Sequence, residues 1–142
     1  MEQFEMILLK HNCSKRFNNA LINIEEIETF AGFGLPEDYK NFIQGYQGFE
    51  KDIGQEYVQL WDVDELKEYN LEYGIIDDLS NTLAIGGNGG GEFIALEYIS
   101  KENYRIVLSP FINLDEQYHV EIGTSFTDFL VRLENGQEWF NE

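Results

Sequence analysis

The stretch TLAIGGNGGGEFIALEY, running from Thr82 to Tyr98, decides the fold. Leu83 to Ile85 and Phe93 to Tyr98 are short, β-prone apolar runs, and the segment between them is dominated by Gly86, Gly87, Gly89, Gly90 and Gly91. So short a gap holds no helical crossover, so the two strands meet antiparallel. The glycines then serve as a tight connection that needs positive φ or close backbone approach, or as a flexible loop that touches a partner. A phosphate cradle would need a Gly-Lys-Ser/Thr ending and a following helix, and neither is present.

Working outward, Tyr57 to Leu60, Tyr104 to Leu108 and Tyr118 to Ile122 read as further short strands. Helices flank them. Ser125-Phe126-Thr127-Asp128 is a cap leading into Phe126, Phe129, Leu130 and Leu133, with a stop near Gly136 and with Trp139 and Phe140 folding back. Asp62-Val63-Asp64-Glu65 is a second cap, stapled by Trp61 and Leu66, and its helix turns Val63, Leu66, Tyr69 and Tyr73 inward before Gly74. Pro36 stands at a helix start with Glu37 and Asp38 in the first turn, and Leu35, Tyr39, Phe42, Ile43 and Tyr46 share one face, with Gly48 as terminator. Asn23 caps a helix from about Ile24 to Phe30, stapled by Ile22 and Ile27. Before it, Phe4, Ile7 and Leu8 mark a short peripheral helix and then a polar link.

The expected class is α+β: a single domain over 1–142 with a mixed or antiparallel sheet of about five to six strands flanked by helices. Residues 1–23 form a peripheral segment, 24–134 the core and 135–142 a tail. A chain of 142 residues with 43% hydrophobic composition buries enough apolar surface to fold without metal or disulfide, and no cofactor is called for. One cysteine, Cys13, a start without a basic, long-apolar leader, and no run of about 20 apolar residues suit a reducing cytoplasm and no membrane.

Charge is the strongest functional signal. Nine Lys and Arg against 27 Asp and Glu leave −18, a field that repels nucleic acid and anionic lipid and attracts a cationic protein. The densest part is Glu50 to Asp78, with ten carboxylates against two lysines. Within it Glu50, Asp52, Glu56, Trp61, Asp62, Asp64, Glu65, Asp77 and Asp78 are the candidate partner-binding residues, because interfaces favour aromatic anchors inside a charged rim. Tyr57, Tyr69 and Tyr73 divide between that surface and the core.

No catalytic or metal set is legible. Asp62, Asp64 and Glu65 lack the twelve-residue calcium-loop pattern and read as a cap and a solvated helix face. His11 and His119 have no ligand spacing, Cys13 has no nucleophile setting, and the alternation around His119 points it to solvent.

The order Leu35-Pro36-x-x-Tyr39-x-x-Phe42, then Leu83-Ala84-Ile85-Gly86-Gly87-Asn88-Gly89-Gly90-Gly91 followed by Glu92 and Glu97, then Ser125-Phe126-x-x-Phe129-Leu130 resembles the SUKH superfamily over about Asn23 to Glu134. The resemblance implies an α+β binding domain with no shared catalytic residues. Bacterial members are mostly immunity proteins of toxin systems, while fungal relatives regulate the cell wall, and the small size favours the former. The expected function is therefore to bind and neutralise a cognate protein toxin, basic in charge and of nuclease type, with a non-enzymatic scaffold or regulatory adaptor as the alternative.

Overall fold

The computed structural model describes residues 2–17 and 22–140. Part of the expected polar link (18–21) and the end of the expected tail (141–142) lie outside the described residues. Among the described residues, six α-helices and six strands follow in the order α1 (Gln3–Lys10), α2 (Ile24–Ala31), α3 (Glu37–Gly45), β1 (Phe49–Ile53), β2 (Glu56–Leu60), α4 (Val63–Glu72), α5 (Ile75–Asp78), β3 (Thr82–Gly87), β4 (Glu92–Ser100), β5 (Asn103–Pro110), β6 (Val120–Gly123) and α6 (Phe126–Glu134). The strands make one sheet in sequence order, and every neighbouring pair is antiparallel.

Period-two alternation in the central strands sorts side chains onto two faces. Leu83, Ile85, Ile94, Leu96, Ile106 and Leu108 join the larger core, which is completed by Phe4 and Leu8 of α1, Tyr39, Phe42 and Ile43 of α3, and Phe129, Leu130 and Leu133 of α6. Ala84, Phe93, Ala95 and Val107 face the other way, against Ile75 and Leu79 around α5. Covering β3 on both faces leaves all six of its residues buried.

The hub of the larger core is Phe126, whose ring lies 5.2 Å from Phe42, 5.3 Å from Tyr39, 6.0 Å from Phe4 and 6.1 Å from Phe129. Edge-on and tilted packing of this kind adds about 0.5–1.5 kcal/mol per pair beyond burial. This arrangement corrects the reading of the first helix as peripheral. Phe4 and Leu8 are fully buried, the Tyr46 hydroxyl donates to Glu5 at 3.1 Å, and His11 Nε2 meets Glu134 at 2.6 Å. Burial, then Glu5, push the Tyr46 phenol up to about 12. A local charge balance near neutral conceals such packing, because three apolar residues suffice to bury one face of a short helix.

Asn70 holds the layers in register. It is wholly buried on α4; its Nδ2 donates to the carbonyl of Ala84 at 2.9 Å, and its Oδ1 accepts the N–H of Ala84 at 2.9 Å. Strand β2 pairs with β3 only at Gln59–Gly87 and Leu60–Gly86 before the chain turns into α4. The amide of Asn70 therefore takes the place of the missing strand beside Ala84. Replacing Asn70 with Leu leaves both Ala84 groups unpaired, and urea denaturation should register a loss of about 2–4 kcal/mol. Asp77→Asn, at an exposed site of α5, should stay within about 0.5 kcal/mol; equal stability of the two variants would refute the role of Asn70.

Candidate functional site

Helix α4 begins at a capping box. The N–H of Asp62 donates to Glu65 Oε1 at 2.9 Å, while Asp62 itself caps the first turn. Asp62 also accepts from the guanidinium of Arg16 at 2.6 Å and from the N–H of Gly48 at 3.2 Å. Arg16 in turn donates to the carbonyls of Ile43 and Tyr46 at the end of α3. Burial works against the Asp62 carboxylate, but the bonds from Arg16, Gly48 and Val63 outweigh it and hold its pKa below the ordinary value. One carboxylate thus ties four segments together at the mouth of a groove.

The wall of that groove is aromatic. Trp61 precedes the cap, Tyr69 on α4 and Tyr73 at its C-terminal cap are four apart, and Phe111 follows β5. Ring centroids step 4.8 Å from Trp61 to Tyr69, 6.2 Å to Tyr73 and 4.6 Å to Phe111. Tyr73, expected inside, is 46% exposed, because the buried stripe of α4 runs through Leu66 and Asn70 instead.

Facing the aromatics are β2 and the β3–β4 hairpin. Asn88 organises this turn. Its side chain accepts from the N–H of Gly90 at 2.9 Å and of Glu92 at 3.3 Å, and donates to the Glu92 carboxylate at 2.7 Å. A Cβ on Gly86 would stand 1.9 Å from the carbonyl oxygen of Gln59, and Gly89 has φ of +78° with the Tyr57 ring against it. The hairpin wall is therefore bare backbone.

Two adjoining hollows, of about 520 and 230 Å³, share Gln59, Trp61 and Tyr69. Glu50, Asp62 and Glu65 line the first; Gly87, Gly89, Gly90 and Glu92 line the second. Among the described residues the lining holds no Lys, Arg or His. Hydrogen bonds from Tyr57 at 2.5 Å and Gln59 at 3.0 Å hold the Glu50 carboxyl below its usual range. The Tyr69 phenol is pushed up, chiefly by the charge of Glu65, then by burial and by Glu68. The hollow is thus anionic and ring-walled.

The structure gathers Glu50, Trp61, Asp62 and Glu65 from the expected surface and separates the rest. Asp52 is exposed two residues further along the same face of β1 as Glu50. Glu56 is tied up structurally, accepting the N–H of Trp139 at 2.8 Å. Asp64 borders a different, apolar hollow with Ile27 and Phe30, and Asp77 and Asp78 stand exposed on α5. Gln59 and Phe111 escaped sequence reasoning, and Glu92 entered it only as the acidic residue after the glycine turn in the family pattern, not as a candidate for the surface.

Neither histidine behaves as an isolated group. The expected solvent-facing placement of His119 is wrong: its side chain is fully covered, with Nδ1 3.1 Å from Glu97, which also binds Arg105 at 2.8 Å. Tyr118 lies in a 3-10 turn, so strand alternation does not begin until Val120. Cys13 is buried, and burial raises its thiol pKa against a smaller opposing effect of Lys51. Among the described residues no three His, Cys, Asp or Glu are placed to hold a metal, and no helix is long and apolar enough to cross a membrane.

Because Asp62 titrates below 3.8 when folded, its charge contributes stability fully above that pH, and the contribution is lost as pH falls through the native value. Asp62→Asn keeps a capping oxygen but removes the charge, so its deficit should be about 1–2 kcal/mol at pH 7 and should vanish in acid. A deficit unchanged between pH 7 and 2.5 in paired urea titrations would contradict this assignment.

The model of the SMI1 / KNR4 family (SUKH-1) matches residues 20–132, from the chain before α2 into α6. A search of curated proteins finds no match.

Proposed function

We propose, from the premise that the chain belongs to the SMI1 / KNR4 family (SUKH-1), that it is an immunity protein whose groove beside α4 seats a basic protein toxin. That family includes immunity proteins and consists in general of non-enzymatic immunity and regulatory proteins. The observation that carries the reading is the groove itself: aromatic anchors, carboxylates and, among the described residues, no lining cation, on a chain of net charge −18.

The mechanism is occupation. A nuclease cleft is basic because it attracts phosphate, and carboxylates spaced along β1, β2 and α4 supply the same sign of charge. Long-range attraction brings association toward about 10⁸–10⁹ M⁻¹s⁻¹ at low salt, and buried rings set the lifetime of the complex. Binding takes place in the cytoplasm, before the toxin reaches its substrate.

Co-expression with a basic toxin domain, sought first among the genes neighbouring this one, tests this reading. Survival with a stoichiometric complex on pull-down is the expected result; death without a complex overturns it and favours an adaptor with an ordinary cellular partner. In the complex, raising salt should slow association far more than dissociation, and Glu50→Lys with Glu65→Lys should slow association at least about tenfold at low salt. Association insensitive to both would remove the groove from the interface.

A further inference from the structure

The groove has the chemistry to recognise one kind of side chain, and this deeper assignment rests on reading it as the partner's seat. We propose that it takes an arginine of the basic partner, with the guanidinium stacked on the Trp61 ring beside the tilted ring of Tyr69 and bonded to Glu50 and Glu65.

Three features single out this ligand. Asp62 is already neutralised by Arg16 at 2.6 Å, whereas Glu50 and Glu65 have no ion-pair partner among the described residues. Two carboxylates thus remain uncompensated in one hollow. Their hydrogen-bonding capacity is also only partly used: Glu50 takes both Tyr57 and Gln59 on Oε1, leaving Oε2 free among the described residues, and Glu65 gives Oε1 to the cap while Oε2 lies 3.5 Å from the Tyr69 hydroxyl.

The second feature is the ring pair, 4.8 Å between centroids and bordering the same space as both carboxylates. Aromatic faces attract cations, and a guanidinium, planar and weakly hydrated, stacks on them while forking toward carboxylates; a lysine ammonium is a compact, strongly hydrated point charge. The third is room. A hollow of about 520 Å³ accommodates a long side chain, and the adjoining wall of Gly87, Gly89 and Gly90 carries no side chains to obstruct the backbone that delivers it. A bare metal ion would need a convergent set of ligands, which the described residues do not provide.

The indole N–H signals of Trp61 and Trp139 in the ¹⁵N-labelled full chain provide the readout, assigned with Trp61→Phe. N-acetyl-arginine amide is titrated at fixed ionic strength beside the lysine and citrulline analogues. Arginine should move the Trp61 signal along a saturating curve, with lysine at least about threefold weaker and uncharged citrulline without effect. Glu50→Gln combined with Glu65→Gln should weaken arginine at least about tenfold. Both glutamines retain an oxygen for the Tyr57 and Asp62 bonds, and unchanged thermal unfolding confirms that the pair folds. A still Trp61 signal, equal shifts from citrulline or lysine, or undiminished binding by the double variant each overturns the assignment. Co-expression separates the two ideas. Protection without a Trp61 response to arginine removes this anchor and leaves toxin binding, whereas a response without protection leaves the anchor and removes the toxin.

Discussion

The paired hydrogen bonds between the amide of Asn70 and the backbone of Ala84 are the constraint from which the groove beside α4 follows. A sheet edge with no neighbour presents unpaired polar groups, and burying them unsatisfied costs about 1–3 kcal/mol each. Strand β2 leaves β3 after two residue pairs, and Asn70 fills the vacated position from a helix. Fixing α4 there sets Trp61, Tyr69 and Tyr73 opposite the hairpin. Without that link α4 would keep its cap at Asp62 but lose its distance from the sheet, and the groove its width.

The hairpin meets the same constraint from the other side. Gly86 allows β3 to come against the carbonyl of Gln59, closer than any side chain permits, and this contact brings the Asn88 turn beside β2. Glu92 thereby enters the same groove as Glu50 and Glu65, although the three come from different strands and a helix. Negative charge accumulates because each carboxylate but Asp62 serves hydrogen bonds, not ion pairs. The surface so formed carries a concentrated negative field at the cost of some self-repulsion.

The α+β class was legible because the strands of 82–108 are apolar on both faces and separated by gaps too short for helices, while Asp62 and Ser125 announce helix starts through local bonds the structure contains. Strand β1 was not legible: Phe49-Glu50-Lys51-Asp52-Ile53 sets three consecutive charges between two apolar residues, so no apolar alternation marks this edge strand, in which Lys51 takes a half-buried position. Asn70 gave no signal either, since a polar residue on an inward stripe is meaningful only once its backbone partner is known. For the groove, the charge-dense stretch supplies only part of the lining: Glu50, Trp61, Asp62 and Glu65 come from it, whereas Glu92 and Phe111 lie outside it. Linear charge density treats Glu50 and Asp78 alike, and tertiary placement separates them. Glu56 shows the limit most plainly, for its carboxylate holds the tail through Trp139.

Amide hydrogen exchange of the chain alone and bound to its partner tests the central claim most directly, that the groove between α4 and the β3–β4 hairpin is the working surface. The account predicts that new protection concentrates in Glu50, Tyr57 to Tyr69 and Gly86 to Glu92, with α1 and α6 unchanged. Protection confined to α1 and α6, or to β6 and the turn before it, would contradict the account.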